Sequence, residues 1–202
     1  QTITFLPKGN LTISDPLNGV TQDAPAVSIC GQQVSRYNFH LSQEYLMLRV
    51  HFQPGALYRL LQIPLLEFRD CWFDAGSVIN NEVVAVNDRL AHCLSYTKMI
   101  DVVEDYLKNK LRKVKEDSHP LDKIAACLYT NPSRFSLDWL ANQACLCPRQ
   151  FNRKFTARMG VGPKLYSRLV RFYKIYQYKQ AQPEDEWLSI ALIIKYTEYK
   201  HK

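Results

Sequence analysis

The 202-residue sequence predicts an α+β chain, with a β-rich, barrel-like first part and an all-α second part. Three observations predict it. Short apolar runs separated by turn formers fill about the first 100 residues. From about Asn87 apolar residues recur at three- and four-residue intervals instead. The charge is also divided: residues 1–133 hold 13 Lys+Arg and 14 Asp+Glu, a net of −1, whereas residues 134–202 hold 13 and 5, a net of +8. Such an asymmetry fits a polyanion-binding module attached to a neutral one. A solvated helical surface would give the same imbalance, so composition alone does not decide. With 47% apolar and 12% aromatic residues the chain can bury a core and lies far from the disordered regime.

Taken in order, ITFLPKGNLTISDPLNGV alternates apolar runs with PKGN, SDP and LNG, all turn signals. AVSICGQQ and YLMLRVHFQPG read as further strands, the last ended by Pro54–Gly55. GALYRLLQI reads as a short helix, because Leu57, Leu60 and Leu61 share a face. NDRLAHCLSYTKMIDVVEDYLKNKLRKVKE places Leu90, Leu94, Ile100, Val103, Leu107, Leu111 and Val114 at helical spacing, as two helices with a break near Ser95–Thr97. Its tail, KNKLRKVK, is basic. HPLDKIAACLYT is a third helix. A domain boundary is expected near 118–134, giving residues 1–118 as a β-rich sensing or dimerising domain with a helical tail and residues 119–202 as the basic domain.

In the last third, Ser136 suits an N-cap and LDWLANQA a helix with Leu137, Leu140, Ala141 and Ala144 inward. CLC is a turn, Pro148 suits a first helical position, and Gly160 suits the residue past a helix end. Within PRQFNRKFTARM, Phe151, Phe155 and Met159 recur every four residues as a buried row. Arg149, Asn152, Arg153 and Thr156 form an outward row. Arginine can fork onto guanine O6 and N7, and asparagine can pair with adenine. After Gly162–Pro163 a long helix is expected with Leu165, Leu169, Phe172 and Tyr176 buried and Lys164, Arg168, Arg171 and Lys174 in a basic row. QPEDEW is a polar connector, and WLSIAL starts another helix.

These residues carry a resemblance. The pattern S-L-D-W-L-A-x-x-A-x-L-x-P-R-Q-F-x-R-K-F-x-x-x-M-G-V-x-P-K-L-Y, followed by R-F and W-L-S-I-A-L over roughly 136–192, resembles the AraC/XylS family of bacterial transcription regulators. GQ at 31–32 and FQPGALYRLL at 52–61 are similar, over a shorter span, to the sensor portion of one subgroup. The resemblance implies a cupin-like N-terminal domain and an all-α helix-turn-helix DNA-binding domain with two such units bridged by a long helix, here 163–180. Arg149, Asn152 and Arg153 would read bases; Thr156, Lys164, Arg168 and Arg171 would contact phosphates. It also implies double-stranded DNA and RNA polymerase as partners. A small-molecule effector and a homodimer, formed through the sensor or the 98–115 helix, are further expectations.

Two departures stand out. Cys147 occupies a capping position that usually holds serine, at a cost of about 1 kcal/mol. After WLSIAL the family continues with a glycine-containing turn, a recognition helix and a closing helix, whereas here IIKYTEYKHK follows and resembles the closing helix. The expectation is a stretch missing from this sequence rather than a naturally shortened protein.

No cofactor or metal is expected. The six cysteines are irregularly spaced with no CxxC pair, so free thiols in a reducing, cytoplasmic setting are the simplest reading. QTITFLPKGN shows no secretory pattern, and no run of 18 apolar residues offers a membrane span. A cupin-like metal oxygenase would need clustered ligands, but the histidines at 40, 51, 92, 119 and 201 form no HxH pair. An enzyme is therefore not expected. The other alternative is an interaction paralogue that pairs with intact regulators without itself binding DNA.

Overall fold

The computed structural model describes residues 1–114, 119–131, 136–187, 189 and 190. They form two compact units, Gln1–Ser118 with Thr156–Gly160, and His119–Phe155 with the described residues from Val161 onward.

The strands of the first unit make two antiparallel sheets. β1 (Thr2–Lys8) lies inside the four-stranded one, between β6 (Leu46–His51) and β4 (Val27–Cys30), with β7 (Trp72–Asp74) beyond β4. The other sheet has β2 (Leu11–Ser14) between β3 (Thr21–Asp23) and β5 (Asn38–Leu41). The barrel-like expectation is thus replaced, among the described residues, by two separately bonded sheets. The reason is visible in β1, whose register against β6 shifts between Phe5 and Lys8. Before the shift, Ile3 and Phe5 stand opposite Ile29 and Val27 and enter one core. After it, Leu6 joins Leu11 and Ile13 in a second, smaller core flanked by Tyr37 and Trp72. A bulge of this kind turns side chains from one packing face to another.

Helices cover the first core: α1 (Ala56–Leu61), α2 (Ala75–Val78), α3 (Glu82–Ala91) and α4 (Tyr96–Leu111). Asp74 caps α2 by accepting the Ser77 N–H at 2.8 Å, and Ser95 caps α4 by accepting the Lys98 N–H at 3.3 Å. Leu57, Val83, Val86, Leu90, Met99, Val103 and Tyr106 pack with Ile3, Phe5, Val27 and Ile29. The helix break near Ser95 is where the sequence placed it, but the buried face of α4 is one residue away from the expected one. Met99, Val103 and Tyr106 face inward, while Ile100 and Leu111 are exposed. The GQ pair has a steric explanation. Gly31 donates its N–H to the Phe68 carbonyl at 3.0 Å, and a Cβ there would lie 2.6 Å from that oxygen.

The second unit is helical throughout its described length: α5 (Pro120–Thr130), α6 (Leu137–Gln143), α7 (Pro148–Met159) and α8 (Pro163–Ala181). Leu121, Ala125 and Leu128 of α5, Leu140 and Ala141 of α6, and Tyr166, Val170 and Ile175 of α8 are buried. None of the described helices is long and apolar enough to cross a membrane.

Candidate nucleic-acid interface

The interface begins with how α6 stops. Ser136 caps its start, accepting the Trp139 N–H at 3.4 Å, and Asp138 sits in the first turn where the helix dipole favours a carboxylate. At the other end Leu146 donates its N–H to the Ala141 carbonyl and Cys145 donates to Asn142, both at 3.0 Å. This pair of bonds is a Schellman closure, with Cys145 at the position that usually takes glycine. Cys145 accordingly has φ of +53°. A side chain is disfavoured there by about 1–2 kcal/mol relative to the right-handed region. Cys145→Gly is therefore expected to raise stability by up to about 1 kcal/mol, the gain being trimmed by the greater freedom of glycine in the unfolded chain. A denaturation midpoint that falls would contradict the strain.

The turn delivers the chain to Pro148, the first residue of α7, and the Cys147 carbonyl accepts the Phe151 N–H at 2.9 Å. Phe151 and Phe155 are completely buried, their ring centroids 5.5 Å apart. Phe155 meets Tyr166 of α8 edge-on at 5.4 Å, and the Tyr166 hydroxyl donates to the Ala125 carbonyl of α5 at 3.3 Å. Burial pushes the Tyr166 phenol well above the usual tyrosine range, so it stays a neutral donor. One aromatic row thus ties α7 to α8, and α8 to α5. Gly160, with φ of +76°, ends α7 as the sequence suggested.

With the phenylalanines inward, Arg149, Asn152 and Arg153 are all exposed. They come together on one side of the helix, as their spacing requires. Thr156 is half-buried and Arg158 is buried, so neither extends that exposed row. Gln150 and Lys154 are also exposed, and the sequence reading passed over them. Their signal was position: each adjoins a buried phenylalanine and so lies at the flank of the outward face. No acidic residue occurs anywhere in PRQFNRKFTARM.

On α8, Lys164 and Arg168 are exposed and Arg171 is half-buried. Lys174 departs from the expected basic row, because its ammonium donates to the Thr130 carbonyl at the end of α5. The buried face of α8 also differs from the expected one. Tyr166, Ser167, Val170 and Ile175 are buried, Leu165 and Leu169 are half-buried, and Phe172 and Tyr176 are exposed. Leu137 at the start of α6, expected inward, is 37% exposed. The QPEDEW connector folds back on α8: the Lys179 ammonium donates to the Pro183 and Asp185 carbonyls, each at 2.6 Å, and lies 5.5 Å from the Trp187 ring centroid. Of WLSIAL, Ile190 is buried and donates its N–H to the Glu186 carbonyl at 3.1 Å. The segment IIKYTEYKHK begins inside 191–202, outside the described residues apart from nothing of its own, and the second unit's base-reading positions are not among those described.

No protein-family model matches this chain, and no curated protein matches it in sequence. Its fold nevertheless has counterparts among solved structures. A crystal structure of an apo single-substitution variant of ToxT from Vibrio cholerae is similar with a TM-score of 0.50 at 14% identity, over 96% of this chain and 81% of that one. Wild-type ToxT from the same organism with bound unsaturated fatty acid gives a TM-score of 0.47 at 12% identity, over 96% and 77%. At such identity the likeness to the first is one of fold.

Proposed function

We propose that this chain is a sequence-specific DNA-binding transcription regulator of the AraC/XylS type, with α6 and α7 as a helix-turn-helix. The observation that carries the reading is α7 itself, with two buried phenylalanines fixing one side and Arg149, Asn152 and Arg153 exposed on another. A helix lying in the major groove needs donors of this kind on its outer face and a rigid support behind them. Thr156, Lys164, Arg168 and Arg171 take the phosphate-contacting role, with Lys164 and Arg168 the most accessible of them. The first unit is read as the part that responds to a small-molecule signal, on the strength of the sequence resemblance.

The test is binding of the full chain to a double-stranded promoter fragment across a range of salt concentrations. Three phosphate contacts from Lys164, Arg168 and Arg171 predict that log K falls linearly with log salt, with a slope of about −3. Lys164→Ala should flatten that slope by about one and weaken all DNA sequences alike. A salt-independent response, or no binding at low salt, would favour the interaction paralogue instead.

A further inference from the structure

A groove of about 630 Å³ lies between α3 and α4, within the first unit and apart from every residue assigned to DNA. Arg89, Lys110, Arg112 and Lys113 line it against only two carboxylates, Glu82 and Asp105, with Val86 on its apolar side. The Lys110 ammonium is held by the Glu82 carboxylate at 2.6 Å; the lysine side chain is 15% exposed and that of Glu82 60%. The same ammonium lies 5.5 Å from the ring centroid of Tyr106, one helical turn earlier. Tyr106 is 8% exposed, and its phenol oxygen has no hydrogen-bond partner among the described residues. Buried hydroxyls without a partner are rare and ask for an explanation.

We propose that this groove binds a small organic phosphate, with Lys110 and the Tyr106 hydroxyl donating to its oxygens and Arg89 and Lys113 balancing its charge. The Glu82 carboxylate already sits on Lys110 as an anion would, and gives way to the ligand by turning into solvent. Releasing a carboxylate as exposed as Glu82 costs little, because surface ion pairs contribute little. A phosphate is favoured over a carboxylate on two grounds. The groove's four cations exceed its carboxylates by two, which suits a phosphate dianion. A ligand carboxylate would offer Lys110 nothing that tethered Glu82 does not, whereas a phosphate has three acceptor oxygens to reach ammonium, phenol and guanidinium together. The groove's volume is within the range of small-molecule sites. The inference does not depend on DNA binding.

The experiment is calorimetric titration of the full chain with phenyl phosphate, and with benzoate as the carboxylate counterpart. Saturable binding of phenyl phosphate is expected with a Kd on the order of 1 mM or tighter, and benzoate about tenfold weaker. Glu82→Gln should tighten phosphate binding severalfold by removing the competing anion, a gain that a purely structural ion pair would not give. Tyr106→Phe, which keeps the ring, should weaken it by about three- to tenfold, and Arg89→Gln with Lys113→Gln by about tenfold. Lys123→Gln, an exposed cation in the other unit, should leave it unchanged. No saturation up to about 10 mM, equal binding of benzoate, a loss in Glu82→Gln, no effect of Tyr106→Phe, or equal weakening by Lys123→Gln would each overturn the assignment.

Discussion

Phe155→Ala is expected to destabilise the second unit by about 3–5 kcal/mol, the usual cost of emptying a phenylalanine-sized site that cannot collapse. Phe155 is completely buried, touches the Phe151 ring at 5.5 Å and meets Tyr166 edge-on at 5.4 Å. Its removal leaves Tyr166 without the ring that braces it and α7 without half of its inner row. Lys154→Ala, one residue away and exposed, should stay within about 0.5 kcal/mol of the parent. Chemical denaturation of the two variants separates these outcomes. Equal midpoints would mean that α7 does not depend on its aromatic face. A destabilisation this large would abolish DNA binding as well, since a recognition helix acts only when it is held.

Arg153→Ala tests the chemistry of the other face without disturbing the core. At the preferred site it should lose about 1–3 kcal/mol, the worth of one good bidentate base contact, and on random DNA it should lose little. Asn152→Ala should relax discrimination at an adenine by a similar amount. Because Arg149, Asn152 and Arg153 are exposed, the unfolding midpoints of these variants should match the parent's. Competition binding with specific and random duplexes reads both numbers. Equal losses on the two duplexes would make Arg153 a phosphate contact and move base reading elsewhere on the helix.

The pair Cys145 and Cys147 shows why local sequence is only partly legible. The spacing invites a metal or redox reading, yet both are free and exposed, and no cluster of three or more metal-ligating side chains exists among the described residues. Cys145 serves by its backbone, held left-handed by two hydrogen bonds that close α6. A glycine there would have announced the turn; a cysteine hides it.

The sequence by itself determined the elements whose causes are local. The Ser136 cap, Pro148 at a helix start, Gly160 past its end and the four-residue phenylalanine rhythm each act within a turn or two of the chain. They were enough to place α6 and α7 and to put Arg149, Asn152 and Arg153 on an exposed face. The tertiary structure decided which side of α4 and α8 is buried, and how the strands divide into two sheets. On α8 apolar and aromatic residues fill two adjacent rows, so periodicity alone could not choose between Leu165–Leu169 and Tyr166–Val170. The choice fell to Tyr166 because the Ala125 carbonyl of another helix receives its hydroxyl, and Phe155 packs on its ring. Burying a phenol is favourable only with a partner for its oxygen. That partner is 41 residues away in the chain and beside it only in the fold.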